Sequence, residues 1–142
     1  MYEMKLIIIN GPNLNLLGVR EKKIYGNKSF ESLFDELQKK YNDISLEQYQ
    51  SNHEGEIIEK IQEVGFSYDG IIINAGGFTH TSIAIRDAIS SVTTPCLEVH
   101  ISNILSREEF RQNSYLSEVS VGIISGLGMK GYELAIQYFK SK

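Results

Sequence analysis

A three-layer α/β sandwich built on a five-stranded parallel sheet is the fold class this sequence predicts, and three observations predict it. Four short apolar runs, KLIIIN at 5–10, GIIIN at 70–74, CLEVHIS at 96–102 and VSVGIIS at 119–125, have the length and continuity of strands covered on both faces. Segments with helical spacing separate these runs, as crossover connections between parallel strands require. The residues able to do chemistry gather where the strands end, which is where open α/β sheets bind their ligands.

Taken in order, KLIIIN opens the sheet. The seventeen residues NGPNLNLLGVREKKIYG that follow have neither helical nor strand period. Long structureless loops in compact domains are usually lids or binding loops, and Gly18 and Gly26 bracket the charged part, so a lid over about 18–26 is expected. In 29–41, Phe30, Leu33, Phe34, Leu37 and Tyr41 recur at helical spacing behind Ser29, a suitable N-cap. ISLEQYQ at 44–50 reads as a more polar strand. In 54–64, Ile57, Ile58, Ile61 and Val64 form the next helical stripe, and Gly65 ends it. Helices at about 80–91 and 131–140 complete the set. The commonest small arrangement of five such strands is the flavodoxin-like order 2-1-3-4-5, in which the order reverses between strands 1 and 3.

The chain has 142 residues, the size of one domain, and residues 1–142 are expected to form a single unit. Lys and Arg total 14 against 18 for Asp and Glu, a formal charge of −4 with no basic stripe, which argues against nucleic acid as a partner. Cys96 is the single cysteine, so no intrachain disulfide and no cysteine-based zinc site is available. Its position before an apolar strand reads as a buried, inert thiol. The N-terminal apolar run is too short to span a membrane and lacks the features of a signal peptide, so a cytoplasmic location and no membrane partner are expected.

The strand CLEVHISN raises a specific question. With a period of two, Leu97, Val99 and Ile101 point to one face, while Glu98, His100 and Ser102 point to the other. A carboxylate one strand pitch from an imidazole can orient the ring and favour its charged form, which suits a general acid. Taken alone, a strand histidine is more often satisfied in a polar core; Ser102 and Asn103 at the strand end weigh the other way. Asn74-Ala75-Gly76-Gly77 leaves strand 3 with two glycines that permit close backbone approach, though a tight strand-to-helix turn has the same signature. His80 reads equally as a ligand-facing or a solvated residue.

In the first loop, Arg20 and Tyr25 make chemical sense together, because a guanidinium favours the ionised form of a phenol and turns it into a usable base. The plainer alternative is an exposed charged loop. Arg107 and Arg111 stand four apart in SREEFRQNS, so on a helix they would share a face and meet an anionic or hydroxylated ligand, with Glu108 and Glu109 turned to solvent or a neighbour. No GxxxxGK[ST] phosphate loop, no GxGxxG after strand 1 and no HExxH pair is present, and GLGMKG at 126–131 only loosely resembles a phosphate-cradling turn.

Taken together, INGPNLNLLGVRE with YG, QSNHEGE, INAGGFTHTSIAIRDAI, EVHISN with REEFR and SY, and the late GLGMKGY closely resemble the type II 3-dehydroquinate dehydratases, over residues 7 to about 138. The resemblance implies a reversible anti elimination of water from 3-dehydroquinate through an enolate, giving 3-dehydroshikimate with neither metal nor organic cofactor. It implies a place in the shikimate pathway toward chorismate and aromatic amino acids, or in quinate breakdown, where the chemistry is the same.

Residue by residue, Tyr25 matches the lid tyrosine that removes the C2 proton and Arg20 the lid arginine that activates it. His100 matches the acid that protonates the departing C1 hydroxyl, oriented by Glu98. Asn13 matches the residue that holds a water against the enolate oxygen. Asn74 resembles the asparagine near the C1 hydroxyl, Ile101 and Ser102 match the strand end that receives the substrate carboxylate, and His80 and Arg111 correspond to groups that bind ring hydroxyls. Asp87 resembles a residue that reaches the site from an adjacent subunit, in keeping with the family's trimers assembled into a homo-dodecamer. Lys22 stands where the family often has proline.

Three competing readings are weaker. A non-catalytic flavodoxin-like module would carry a phosphate loop after strand 1 or an acidic cluster at the strand ends. The type I route to the same product needs a Schiff-base lysine in a larger barrel. A fold kept purely as a scaffold for assembly has no use for Arg20, Tyr25 and His100 together.

Overall fold

The computed structural model describes residues 2–19 and 21–142, and Met1 and Arg20 lie outside the described residues. Five parallel strands, β1 (Lys5–Asn10), β2 (Ser45–Gln50), β3 (Gly70–Asn74), β4 (Cys96–His100) and β5 (Gly122–Ser125), form one sheet in the order β2-β1-β3-β4-β5. This is the 2-1-3-4-5 order expected from the sequence.

The period-two rule explains how the two cores form. Leu6 and Ile8 of β1, Ile72 of β3, and Leu97 and Val99 of β4 turn to one face, where α2 (Phe30–Lys40) and α5 (Lys130–Lys140) cover them. Ile7, Ile9, Ile71, Ile73 and Cys96 turn to the other, beneath α3 (Glu54–Val64) and α4 (Ile83–Ser91). Ser29 Oγ accepts the Ser32 N–H at 3.2 Å and so caps α2 as its side-chain chemistry predicts. Cys96 is buried, and burial pushes its thiol up, which leaves it neutral.

Four expectations change in detail. The helix expected over 80–91 divides into a 3-10 turn, Gly76–His80, and α4, because Ser82 adopts an extended conformation and caps Ile85 N at 2.9 Å. His80 therefore ends a turn rather than opening a helix. The first loop contains a 3-10 turn at Leu14–Leu16 and a single helical turn, α1 (Lys22–Tyr25), too short to show a period in sequence. Pairing in the fourth strand stops at His100 and in the fifth begins only at Gly122, because Ser117–Val119 coils into a 3-10 turn. Arg107 and Arg111 lie on no common helix; two 3-10 turns, Ile104–Ser106 and Glu109–Arg111, carry the segment instead.

Candidate active site

The cleft opens at the carboxyl ends of β1, β3 and β4. It is lined by Pro12, Asn13 and Leu14 from the first loop, Tyr25 from α1, and Asn74, Gly76, Gly77 and His80 after β3. His100, Ile101, Ser102, Ile104, Arg107 and Arg111 close the remaining side.

The floor is set by backbone packing. Gly11 donates its N–H to Asn74 O at 2.7 Å, and a Cβ on Gly11 would lie 2.4 Å from Ala75 O, so only glycine lets the two loops meet. Gly76 has a φ of 59°, a left-handed conformation that keeps it beside Pro12. Asn13 is also left-handed at φ 70°, and its N–H donates to Asn52 Oδ1 at 3.0 Å. Gln50 Nε2 donates to that same Asn52 oxygen and to Gly11 O, each at 3.1 Å. The QSNHEGE segment thus works as a clamp on the loop that presents Asn13.

Asn74 ends β3 directly opposite Asn10 of β1, and both are buried. Tyr132 of α5, fully buried, donates its hydroxyl proton to Asn10 Oδ1 at 2.8 Å and accepts from Asn74 Nδ2 at 2.9 Å. Gly76 N–H donates to Asn74 Oδ1 at 3.2 Å, so the amide of Asn74 is held at both ends. Burial pushes the Tyr132 phenol up, which keeps it a neutral donor.

On β4, Glu98 is completely buried and pairs with His100 Nε2. Ser117 Oγ donates to Glu98 Oε1 at 2.6 Å and Ser114 Oγ to Oε2 at 2.8 Å. Burial by itself pushes the Glu98 carboxyl up; the donors from His100, Ser117 and Ser114 outweigh it and leave the group below the usual carboxylate range. The ring of His80 stacks near that of His100, with centroids 6.3 Å apart. His80 Nδ1 meets Asn113 O at 2.9 Å, a contact that requires the proton on Nδ1 and leaves Nε2 as an acceptor. Burial lowers the affinity of His80 for a second proton, although the Asn113 carbonyl opposes it, and His100 and Arg111 lower it further.

In the same cleft, Arg107 Nη1 donates to Tyr25 Oη at 2.9 Å and to Ser102 Oγ at 3.2 Å. Glu108 Oε1 accepts from Arg111 Nε at 3.0 Å and lies 3.6 Å from Arg107 Nε, so this carboxylate fixes both guanidinium groups rather than facing solvent alone. A phenol under a cation, a histidine backed by a buried carboxylate and several hydroxyl-binding groups share one cleft. That set can take a proton at one place and deliver one at another.

The sequence profile described as dehydroquinase class II matches residues 4–140. The 3-dehydroquinate dehydratase of Prochlorococcus marinus strain MIT 9301 is 56% identical over 136 residues, covering 94% of this chain and 92% of that protein. The chain belongs to the class II dehydroquinase family.

Solved dehydroquinase structures agree. The type II dehydroquinase from Butyrivibrio crossotus DSM 2876 superposes with a TM-score of 0.93 at 53% identity, covering 97% of this chain and 98% of that one. The enzyme from Propionibacterium acnes has the same TM-score at 37% identity, with coverage of 99% and 100%.

In this dehydroquinase the cleft brings together Asn13, Tyr25, Asn74, His80, His100, Ile101, Ser102 and Arg111, all expected from sequence, with Glu98 directly behind His100. Arg20 lies outside the described residues. Asp87 does not line the cleft: its side chain is 65% exposed on α4, 3.7 Å from Arg86. Sequence reasoning paired Tyr25 with Arg20 and left Arg107 with only a general ligand-facing role. It missed Asn10, Asn52, Ser114, Ser117 and Tyr132, which act through other residues. The QSNHEGE and late GLGMKGY segments were the available signals for Asn52 and Tyr132.

Proposed function

We propose that this dehydroquinase is a 3-dehydroquinate dehydratase, a hydro-lyase that converts 3-dehydroquinate reversibly to 3-dehydroshikimate in the shikimate pathway. The observation that carries the reading is the pairing of an arginine-held tyrosine with a carboxylate-backed histidine in one cleft. The identity of the Prochlorococcus marinus relative as a 3-dehydroquinate dehydratase supports the substrate.

In this mechanism Tyr25, as its phenolate, takes the C2 proton while an enolate forms, and the Arg107 N–H and Arg20 stabilise the negative charge on the phenolate oxygen. Asn13, clamped by Asn52, holds a water against the enolate oxygen. His100, held by Glu98, delivers a proton to the C1 hydroxyl as the C1–O bond breaks, so the leaving group is water. Exchange with solvent then removes the proton from Tyr25 and returns one to His100. Asn74 orients the leaving hydroxyl, Ile101 and Ser102 receive the carboxylate, and His80 and Arg111 hold the ring hydroxyls.

The same reading includes a homo-dodecamer, a tetramer of trimers, in which Asp87 serves a neighbour's cleft. Its exposure outside its own cleft supports that role, as do the exposed apolar side chains of Ile83, Leu105 and Phe110. Among the described residues no helix is long and apolar enough to cross a membrane; a cytoplasmic location completes the reading.

The test is to mix the purified protein with 3-dehydroquinate and follow the ultraviolet absorbance of the conjugated enone product, with and without a metal chelator. Chelator-insensitive product formation is expected. A folded, assembled protein that forms no product would overturn the assignment.

A further inference from the structure

A hydroxyl group has one proton to donate and two lone pairs with which to accept. At Ser114 both accepting positions are occupied by the backbone: Leu116 N–H donates to its Oγ at 3.1 Å and Ser117 N–H at 3.2 Å. The single proton of Ser114 is therefore directed at Glu98 Oε2, 2.8 Å away, and cannot be exchanged for an accepting role. Ser117, positioned by that same turn, places its hydroxyl 2.6 Å from Oε1.

With Ser114 donating to Oε2 and Ser117 to Oε1, the Glu98 carboxyl is held in its ionised form, which has no proton of its own to give. Glu98 Oε2 is then an acceptor toward both Ser114 and His100, and His100 Nε2 is the donor in their contact. Nδ1 is then the ring nitrogen left for the cleft. We infer that Ser114 and Ser117 are positioning residues that fix the direction of the Glu98–His100 hydrogen bond and thereby make Nδ1 the atom through which His100 hands its proton to the substrate.

This rests on the assignment of His100 as proton donor but concerns a different property, the location of protons in the resting site. The other groups around the ring do not supply the same direction. His80 stacks on it rather than bonding to it, Arg107 donates to Tyr25 and Ser102, and Arg111 donates to Glu108. Cys96, two residues before Glu98, is a buried neutral thiol. With both serine donors removed, Glu98 would be a buried carboxyl with no hydroxyl donor, and burial favours its protonated form. It would then donate to Nε2, and the neutral ring would carry its proton on Nδ1 instead.

The experiment is 15N NMR of histidine-labelled protein without substrate, at a pH where the imidazole is neutral, with His100 identified by the loss of its signal in His100→Ala. The native protein should show the proton on Nε2. In Ser114→Ala/Ser117→Ala the Nδ1-protonated form should predominate, with kcat reduced by about tenfold or more and KM changed by less than about threefold. Ser114→Thr, which keeps a hydroxyl, should keep the native signature. Should the double variant fail to fold, Ser117→Ala alone leaves the Ser114 turn intact and should populate both tautomers. A native ring protonated on Nδ1, or a folded variant lacking Ser117 whose ring remains wholly Nε2-protonated, would overturn the inference. Because the spectrum needs no turnover, it stands apart from whether 3-dehydroquinate is the substrate.

Discussion

Arg107 Nη1 lies 2.9 Å from Tyr25 Oη across 82 residues of sequence, and the same nitrogen reaches Ser102 Oγ at 3.2 Å. One guanidinium therefore ties Tyr25 to the segment that leaves β4. This makes the placement of Tyr25 and charge stabilisation on its phenol oxygen a single event. Ion pairing to Glu108, 3.6 Å from Nε, keeps the guanidinium from turning away.

Arg107→Ala should lower kcat by about 10²-fold, the scale of losing a charge-assisted donor to a reacting group. Arg107→Lys should recover only part of that, because an ammonium has no planar fork to meet Tyr25 and Ser102 while retaining Glu108. Steady-state kinetics of both variants check this. Full recovery by lysine would mean that charge alone, without the fork, suffices.

Tyr25→Phe and His100→Ala are each expected to reduce turnover by roughly 10²-fold or more, the usual loss for a positioned base or acid. The double variant should be little worse than the poorer single one, since the two residues serve one elimination. A near-native rate in either single variant would remove that residue from its role.

Tyr132→Phe deletes the hydroxyl shared by Asn10 and Asn74 while keeping the ring in its apolar setting beside Phe30, 5.2 Å centroid to centroid. Two buried amide groups then lose a partner, at a cost of about 1–3 kcal/mol. Urea unfolding should register that loss, and kcat should fall several-fold as the Asn74 amide gains freedom. Unchanged stability would indicate that water had replaced the hydroxyl.

Glu133 on α5 accepts the Tyr41 hydroxyl at 2.6 Å and pairs with Lys40 at 2.5 Å and Lys130 at 3.0 Å. The Lys40 ammonium foremost, then the Tyr41 hydroxyl and Lys130, hold its carboxyl down at about 2. A carboxyl whose folded value is depressed contributes stability above its unfolded value, and that contribution disappears as pH falls through the folded value. Stability should therefore decline between about pH 4.5 and 2, by about 2 kcal/mol given the solvent around both lysines. Glu133→Gln should flatten that part of the curve, as measured by denaturant midpoints across the acid range. An equally steep decline in Glu133→Gln would assign the acid sensitivity to other carboxylates.

Much of the site was legible because period two and strand-end position are local properties. Leu97 and Val99 face one core while Glu98 and His100 face the site, just as alternation requires. Asn13, Asn74, His80 and Ser102 follow strand ends, so the topology carried them to the cleft. Asp87 was not brought into the cleft, because its side chain points outward from α4.

By itself the sequence determined the strands, their order and most of the side chains that line the cleft, since these depend on hydrophobic period and on short motifs whose residues stay together in the chain. Only the tertiary structure decided which distant groups hold those side chains in place. Arg107 meets Tyr25, Ser114 and Ser117 meet Glu98, and Tyr132 meets Asn10 from 122 residues away. Such pairs carry no periodic signal. They exist because packing the helices on the sheet and folding the 101–121 segment over β4 bring hydroxyl, guanidinium and amide groups within hydrogen-bonding range, and a buried polar atom must take the partner that packing delivers.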